Sequence, residues 1–323
     1  MPTLPLRAIT GGSDIRVNGT DSTIRVRGLT YAYATAPVLQ DVSFELTPGA
    51  VGLLGPNGSG KTTLLRALLG HLQVPPGAVT VLGRDMALDP RAARGRLGWM
   101  PEQGGIIPGM SGVAMVSYLG ELSGMPARDA LQRAHEVINY VGLAEERYRA
   151  VETFSQGMRQ RIKLAQAPVH DPAWVLLDEP TSGLDPKGRV AMLELVRDLA
   201  LNKGLGVILS THLLPDVQAV CGEILVLQKG QLLAHRRTAG PGREAAQLFE
   251  VEGFGDEAAF TARLREAGAE VAREGRFALV TVRDGQGAAS ILAAAAATGF
   301  AMRRVRRRVV TLEDVFFELV DKE

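Results

Sequence analysis

The sequence predicts an α/β core with a largely parallel sheet, followed by a smaller C-terminal α+β domain. Three observations carry this. The run Ala50-Val51-Gly52-Leu53-Leu54 is a short apolar strand, and after the glycine-rich octet Gly55-Pro56-Asn57-Gly58-Ser59-Gly60-Lys61-Thr62 a helical pattern covers 62–69 and stops at Gly70. The continuously apolar runs 174–177 and 207–209 are separated by a helical stretch at 189–201, the pattern of a parallel βαβ unit. Beyond a linker at 236–242, the periods read strand 248–252, helix 257–267, strands near Glu270 and at 277–282, helix 288–297 and strand 301–305. That βαββαβ order is ferredoxin-like, and a further helix is predicted at 312–320.

Taken in chain order, residues 1–22 show no period and are predicted to be a flexible tail. The core domain is placed at 23–239 and the accessory domain at 240–323. Ile24 and Val26, then Val42, Phe44 and Leu46, alternate as antiparallel strands do. Residues 105–142 read as a loop followed by one helix, opened by Pro126 and Asp129 and striped by Leu131, Ala134, Val137, Ile138 and Val141. A hairpin is expected at 223–235, turning at Lys229-Gly230.

Composition narrows the classes. Of 323 residues, 46% are hydrophobic and 22% charged, as in ordinary globular chains. A net charge of +1 supplies no general field for nucleic acid or anionic lipid. Cys221 is the single cysteine, so an intramolecular disulfide and a cysteine-rich metal site are excluded; a buried, inert thiol in a reducing cytoplasm is expected. No stretch reaches the roughly 18 to 20 apolar residues of a membrane span, and residues 1–22 lack a signal peptide's apolar centre, so a chain soluble by itself is expected. The basic run Arg303, Arg304, Arg306, Arg307 and Arg308 reads as a solvated strand face, with contact to lipid headgroups or nucleic acid as the alternative.

The octet has the spacing of a phosphate-binding loop. Gly55, Gly58 and Gly60 permit positive φ and close approach, so successive N–H groups can converge on an anion at the helix N-terminus. Lys61 is placed to reach the β- and γ-phosphates, and the Thr62 hydroxyl to ligate magnesium. Pro56, Asn57, Ser59 and Thr63 complete the expected ATP-binding segment. Asp178 and Glu179 are adjacent carboxylates ending an apolar strand, which a buried strand carries only for a reason. Phosphate chemistry supplies one: Asp178 for the metal shell, Glu179 to orient or deprotonate the attacking water.

The segment Phe154-Ser155-Gln156-Gly157-Met158-Arg159-Gln160-Arg161 resembles the signature motif of ATP-binding cassette (ABC) ATPases, although Gln156 and Met158 depart from the usual letters. Ser182-Gly183-Leu184-Asp185 resembles the family's D-loop, and Ser210-Thr211-His212 its switch-histidine loop. The resemblance implies a mixed-sheet core, an antiparallel β subdomain and a helical subdomain bearing the signature. It implies ATP and Mg2+ as cofactors, with Glu179 and His212 catalytic. Ser155, Gln156 and Gly157 would act in trans on the partner's ATP, with Asp185 beside them. Tyr33 matches the aromatic that stacks on adenine, with Tyr31 the alternative. The family's metal-contacting glutamine should follow Pro101, where this chain has Glu102 and then Gln103, so either is a candidate.

The same resemblance implies a homodimer or heterodimer of ATPase subunits, a separate integral membrane permease, and a peripheral place at the cytoplasmic face of the membrane; no nucleic acid is expected. The C-terminal region, with its ending at 311–319, resembles the accessory domain of type-two exporter ATPases. The expected function is therefore ATP hydrolysis powering export. The alternative is a soluble cassette ATPase acting on ribosomes or DNA, against which stand the single cassette, the absence of a long insertion before Ser155 and the near-zero charge.

Overall fold

The computed structural model describes residues 23–34, 36–237, 247–274, 277–282 and 287–308. Contacts divide the chain into two compact units, Met1–Arg237 and Thr238–Glu323. In the first unit the elements run β1 (Ile24–Tyr33), β2 (Ala36–Leu46), β3 (Ala50–Leu54), α1 (Lys61–Leu68), β4 (Val79–Val81), β5 (Arg84–Asp85), α2 (Pro90–Arg94) and β6 (Leu97–Met100). They continue with α3 (Gly112–Leu122), α4 (Ala127–Tyr140), α5 (Gln156–Gln166), β7 (Trp174–Asp178), α6 (Pro186–Leu201), β8 (Gly206–Thr211), α7 (Leu214–Val220), β9 (Glu223–Gln228) and β10 (Gln231–Arg237).

Two sheets share the core. The antiparallel sheet has the order β2-β1-β4-β5, and the six-stranded sheet the order β10-β9-β3-β8-β7-β6. Within the second, only β10 runs antiparallel to its neighbour. Alternation in β1 and β2 turns Ile24, Val26, Leu39, Val42 and Leu46 inward, where they pack with Leu64, Leu65 and Leu68 of α1 and with Leu53, Trp174, Leu176 and Ile208 of the larger sheet. The central parallel strands β7 and β8 are buried along their whole length, as their unbroken apolar runs require. At Gly206 a Cβ would lie 2.2 Å from the Trp174 ring, so the largest core side chain fits only because its neighbour has none. The β9–β10 hairpin turns at Lys229 and Gly230, both with positive φ, as a two-residue hairpin turn demands.

Parallel strands aligned in one sheet deliver their C-terminal ends, and the residues that follow, to one edge. Leu54, Asp178 and Thr211 end three adjacent strands there. This is what assembles the phosphate loop, the carboxylate pair and His212.

Three expectations for this unit change. Leu131, expected in the apolar stripe of α4, is 47% exposed, and Ala130 takes the inward position beside it. The region 105–142 holds two helices rather than one: α3 starts at Ser111, whose side chain accepts from the Ala114 N–H. Its apolar residues lie on more than one side, so it has no clear stripe. The strand β10 extends through Arg237, so the basic pair Arg236-Arg237 belongs to the hairpin and not to a linker. The remaining linker residues, the 1–22 tail and the helix expected at 312–320 lie outside the described residues.

The second unit runs β11 (Gln247–Phe254), α8 (Glu257–Glu266), β12 (Glu270–Glu274), β13 (Phe277–Val282), α9 (Gly287–Thr298) and β14 (Ala301–Arg308). Its antiparallel sheet has the order β12-β13-β11-β14, the ferredoxin-like arrangement of the predicted βαββαβ order. Phe249, Val251, Val280 and Val282 face Phe260, Leu264 and Ile291 of the two helices. The Phe260 and Phe300 rings stack with centroids 4.4 Å apart. Arg303, Arg304 and Arg306 are exposed. Among the described residues of the chain, no helix is long and apolar enough to cross a membrane.

Candidate nucleotide site

The glycine-rich loop leaves β3 at Gly55 and enters α1 at Gly60, whose φ of 102° is open to glycine and strained for other residues. At Gly55 a Cβ would sit 2.1 Å from the Leu227 carbonyl oxygen, so only glycine lets the loop lie this close to β9. The amides of Lys61, Thr62 and Thr63 open α1, where a helix has no carbonyl of its own to receive them. The Ser59 hydroxyl is buried without a partner. Lys61 Nζ donates to the carbonyls of Gly55 at 2.8 Å and Pro56 at 3.2 Å, and stands 3.7 Å from Glu179 Oε1.

The carboxylates end β7 on the facing side. Asp178 accepts from Thr62 Oγ1 at 2.8 Å and from Ser210 Oγ at 2.9 Å, so both its oxygens are oriented. Glu179 turns out of the strand with a φ of 49°, a left-handed conformation rare for a glutamate and worth ~1 kcal/mol or more of strain. Its main-chain N–H donates to the Ser210 carbonyl, which holds that turn in place. Both Glu179 oxygens lie 3.0 Å from His212 Nδ1.

Lys61, Thr62, Asp178 and Glu179 of this set line a cleft of about 240 Å³. Asn57, Gly58, Gly60 and Thr63 of the loop and helix start complete the lining, with Val38 an apolar residue among them. Glu102 also lines it, whereas Gln103 is not among the lining residues. Tyr33, on β1, is not among the lining residues; it is 42% exposed and meets Tyr31 edge-on at 5.1 Å.

The segment around Ser155 is elsewhere. Ser155 caps α5 by accepting from the Met158 N–H, while Gln156 packs against Gly183 and Gln160 Nε2 donates to the Ser182 carbonyl. Asp185 caps α6 through the Gly188 N–H, helped by Pro186 at the first helical position. Ser155, Gln156, Gly157 and Asp185 thus gather at the 182–185 loop, and none of them lines the phosphate cleft.

One cluster had no signal in the sequence. Asp216 on α7 is fully buried; it accepts from Thr181 Oγ1 and from Arg189 Nε of α6. Its partners lie 35 and 27 residues away, so no local spacing links them. One carboxylate thereby joins the turn after Glu179, the helix after Asp185 and the helix after His212. Nearby, Cys221 is buried, and burial, with Asp216 adding to it, pushes its thiol far above the ordinary cysteine value.

The donor set fits a triphosphate: helix-opening amides and an ammonium converge on one cleft. It also fits magnesium. Among the described residues no group of three or more His, Cys, Asp or Glu forms a metal cage, and magnesium is commonly held by one or two carboxylates together with substrate phosphates. Thr62 and Asp178, already paired, are such a set.

Residues 39–182 match the family model described as ABC transporter. Over 307 residues the chain is 32% identical to the daunorubicin resistance ATP-binding protein DrrA3 of Streptomyces coeruleorubidus, covering 93% of this chain and 96% of that one. The chain belongs to the ATP-binding proteins of ABC transporters. Like those proteins it is an ATP-binding, ATP-hydrolysing subunit. It is also similar to the Nod factor export ATP-binding protein I of Ralstonia nicotianae, 30% identical over 309 residues, covering 94% of this chain and 96% of that one. In fold this ABC ATPase resembles the ATP-binding cassette MJ0796, solved as a dimer in a post-hydrolysis state bound to ADP and Pi, with a TM-score of 0.61, 21% identity and coverage of 66% of this chain and 98% of that one.

Proposed function

We propose that this chain hydrolyses Mg-ATP to drive export through a separate membrane permease, working as a pair of ATPase subunits. The single observation that carries the hydrolytic reading is the convergence of Lys61, Asp178 and Glu179 on one cleft at the N-terminus of α1, with His212 Nδ1 held against Glu179. The loop amides and Lys61 bind the β- and γ-phosphates, and Thr63 and Asn57 complete the cradle. Thr62 and Asp178 hold magnesium, with Glu102 as the third candidate ligand since it, and not Gln103, borders the cleft. The metal, when bound, neutralises charge on the phosphate oxygens. Glu179 accepts the proton of the water whose oxygen bonds to the γ-phosphorus as ADP departs. His212 orients Glu179 through Nδ1 and leaves Nε2 for the γ-phosphate. Tyr33 is the proposed adenine platform, its exposed ring available to stack.

Ser155, Gln156 and Gly157 have no role in their own cleft, which supports their use on a second subunit's nucleotide. Head-to-tail pairing of two such chains gives two composite sites, each with Asp185 at the join. A homodimer is the simplest form. The drug-resistance and export relatives support the outward direction and a place at the cytoplasmic face of a membrane. The test is sedimentation of the purified chain carrying Glu179→Gln. Saturating Mg-ATP is expected to convert monomer to dimer, and persistence of monomers alone, with or without the permease, rejects the composite-site reading.

A further inference from the structure

Lys163 lies on α5, the helix capped by Ser155, and its side chain is buried. A lysine enters a protein interior only at a cost and with a partner. Here Nζ donates at 2.6 Å to the main-chain carbonyl of Glu102. Burial holds the ammonium below the ordinary lysine pKa, while the Glu102 and Asp178 carboxylates pull it back upward. One helical turn further on, Gln166 packs against the same loop: a Cβ on Gly105 would come within 3.1 Å of Gln166 Nε2. The loop bearing Glu102 is therefore fastened to α5 at two successive turns.

The charge balance of the cleft gives this contact a purpose. Three acidic residues, Asp178, Glu179 and the exposed Glu102, line a space that takes a polyanion, and Lys61 is the ammonium among its lining residues. Like charges around a partly enclosed site cost several-fold in affinity unless a cation offsets them. The buried ammonium stands directly behind the third carboxylate's loop.

We propose that Lys163 is a positioning residue of the nucleotide site, anchoring the Glu102 loop to the Ser155 helix and supplying the buried positive charge that lets a third carboxylate face the phosphates. The inference rests on Glu102 bordering the site as proposed above. It ties nucleotide occupancy on one side of the loop to the helix that would reach the other subunit.

The test is calorimetric titration of the full chain with ATP in EDTA, which reads phosphate affinity without metal or turnover. Lys163→Met is expected to weaken binding about tenfold, and Lys163→Arg to stay within about threefold of wild type. Glu102→Gln in the Lys163→Met background is expected to restore affinity to within about threefold of wild type, a rescue that mere loss of packing does not allow. Hydrogen exchange at 101–105 should quicken in Lys163→Met and not in Glu102→Gln. Unchanged affinity in Lys163→Met, or a double variant no tighter than the single, overturns the proposal. Should Lys163→Met fail to fold, Glu102→Gln alone decides: removing one carboxylate is expected to tighten ATP binding in EDTA about threefold, and no tightening overturns the charge role. Wild-type protein that binds no ATP defeats the nucleotide site itself. Wild-type binding with an indifferent Lys163→Met defeats only this inference.

Discussion

Glu179 and His212 are 33 residues apart in the chain, yet His212 Nδ1 lies 3.0 Å from both Glu179 oxygens. The contact exists because β7 and β8 are parallel neighbours, paired through Asp178 and Ser210, so the residues following them leave the sheet side by side. Lys61, 3.7 Å from Glu179, closes the group from the phosphate-loop side. The glutamate is thus oriented by a cation and an imidazole before any substrate arrives.

Replacing Glu179 by Gln keeps size and removes the base. Hydrolysis is expected to fall by on the order of 10² to 10⁴ with ATP affinity retained. Phosphate release in single-turnover assays checks this, and wild-type turnover by the variant removes Glu179 from the catalytic role.

Ser155→Arg places a bulky cation at the cap of α5, remote from the chain's own cleft. ATP binding by the monomer should be unchanged, while hydrolysis falls with the loss of paired subunits. Titration of monomer with ATP, beside turnover measured at high protein concentration, separates the two effects. Weakened monomer binding contradicts a site shared between subunits.

Asp216→Ala leaves the buried Thr181 hydroxyl and the partly exposed Arg189 guanidinium without their carboxylate and is expected to cost about 1–3 kcal/mol in urea unfolding. Asp216→Glu, which keeps the charge, should recover part of that stability. Because the carboxylate braces the turn after Glu179 and the helix after His212, the Glu variant should show a lowered kcat at near-normal ATP affinity. A variant with normal kcat leaves Asp216 as a brace for stability alone.

Acid should destabilise the fold through His170. Its Nε2 faces the Leu97 carbonyl at 3.2 Å and its Nδ1 is buried without a partner, so burial lowers its pKa below 6.5. With the folded value depressed, the unfolded chain takes up the proton first, and stability is full above pH 6.5 and declines as pH falls below it. His71, lowered by burial and by Arg94 and Arg66, acts in the same direction. The thermal midpoint should drop between pH 7 and 5, and His170→Asn should flatten that drop. An equal slope in the variant assigns the acid sensitivity to other groups.

The phosphate loop, the carboxylate pair ending β7 and the βαβ alternation are local patterns, and they were readable in the sequence because glycine placement and apolar runs act over a few residues. The ferredoxin-like order of the second unit was readable for the same reason. The helix α3 was not, since a segment apolar on several sides has no period to detect. Nor was the choice between Glu102 and Gln103, because which of two adjacent loop residues borders a cleft depends on how Lys163 and Gln166 pin that loop. The Thr181–Asp216–Arg189 brace was equally silent. The chain by itself determined which chemistry is present and on which elements it sits. Tertiary structure alone decided which side chains meet, because parallel pairing brings distant strand ends to one edge and burial then makes every unpartnered polar group costly.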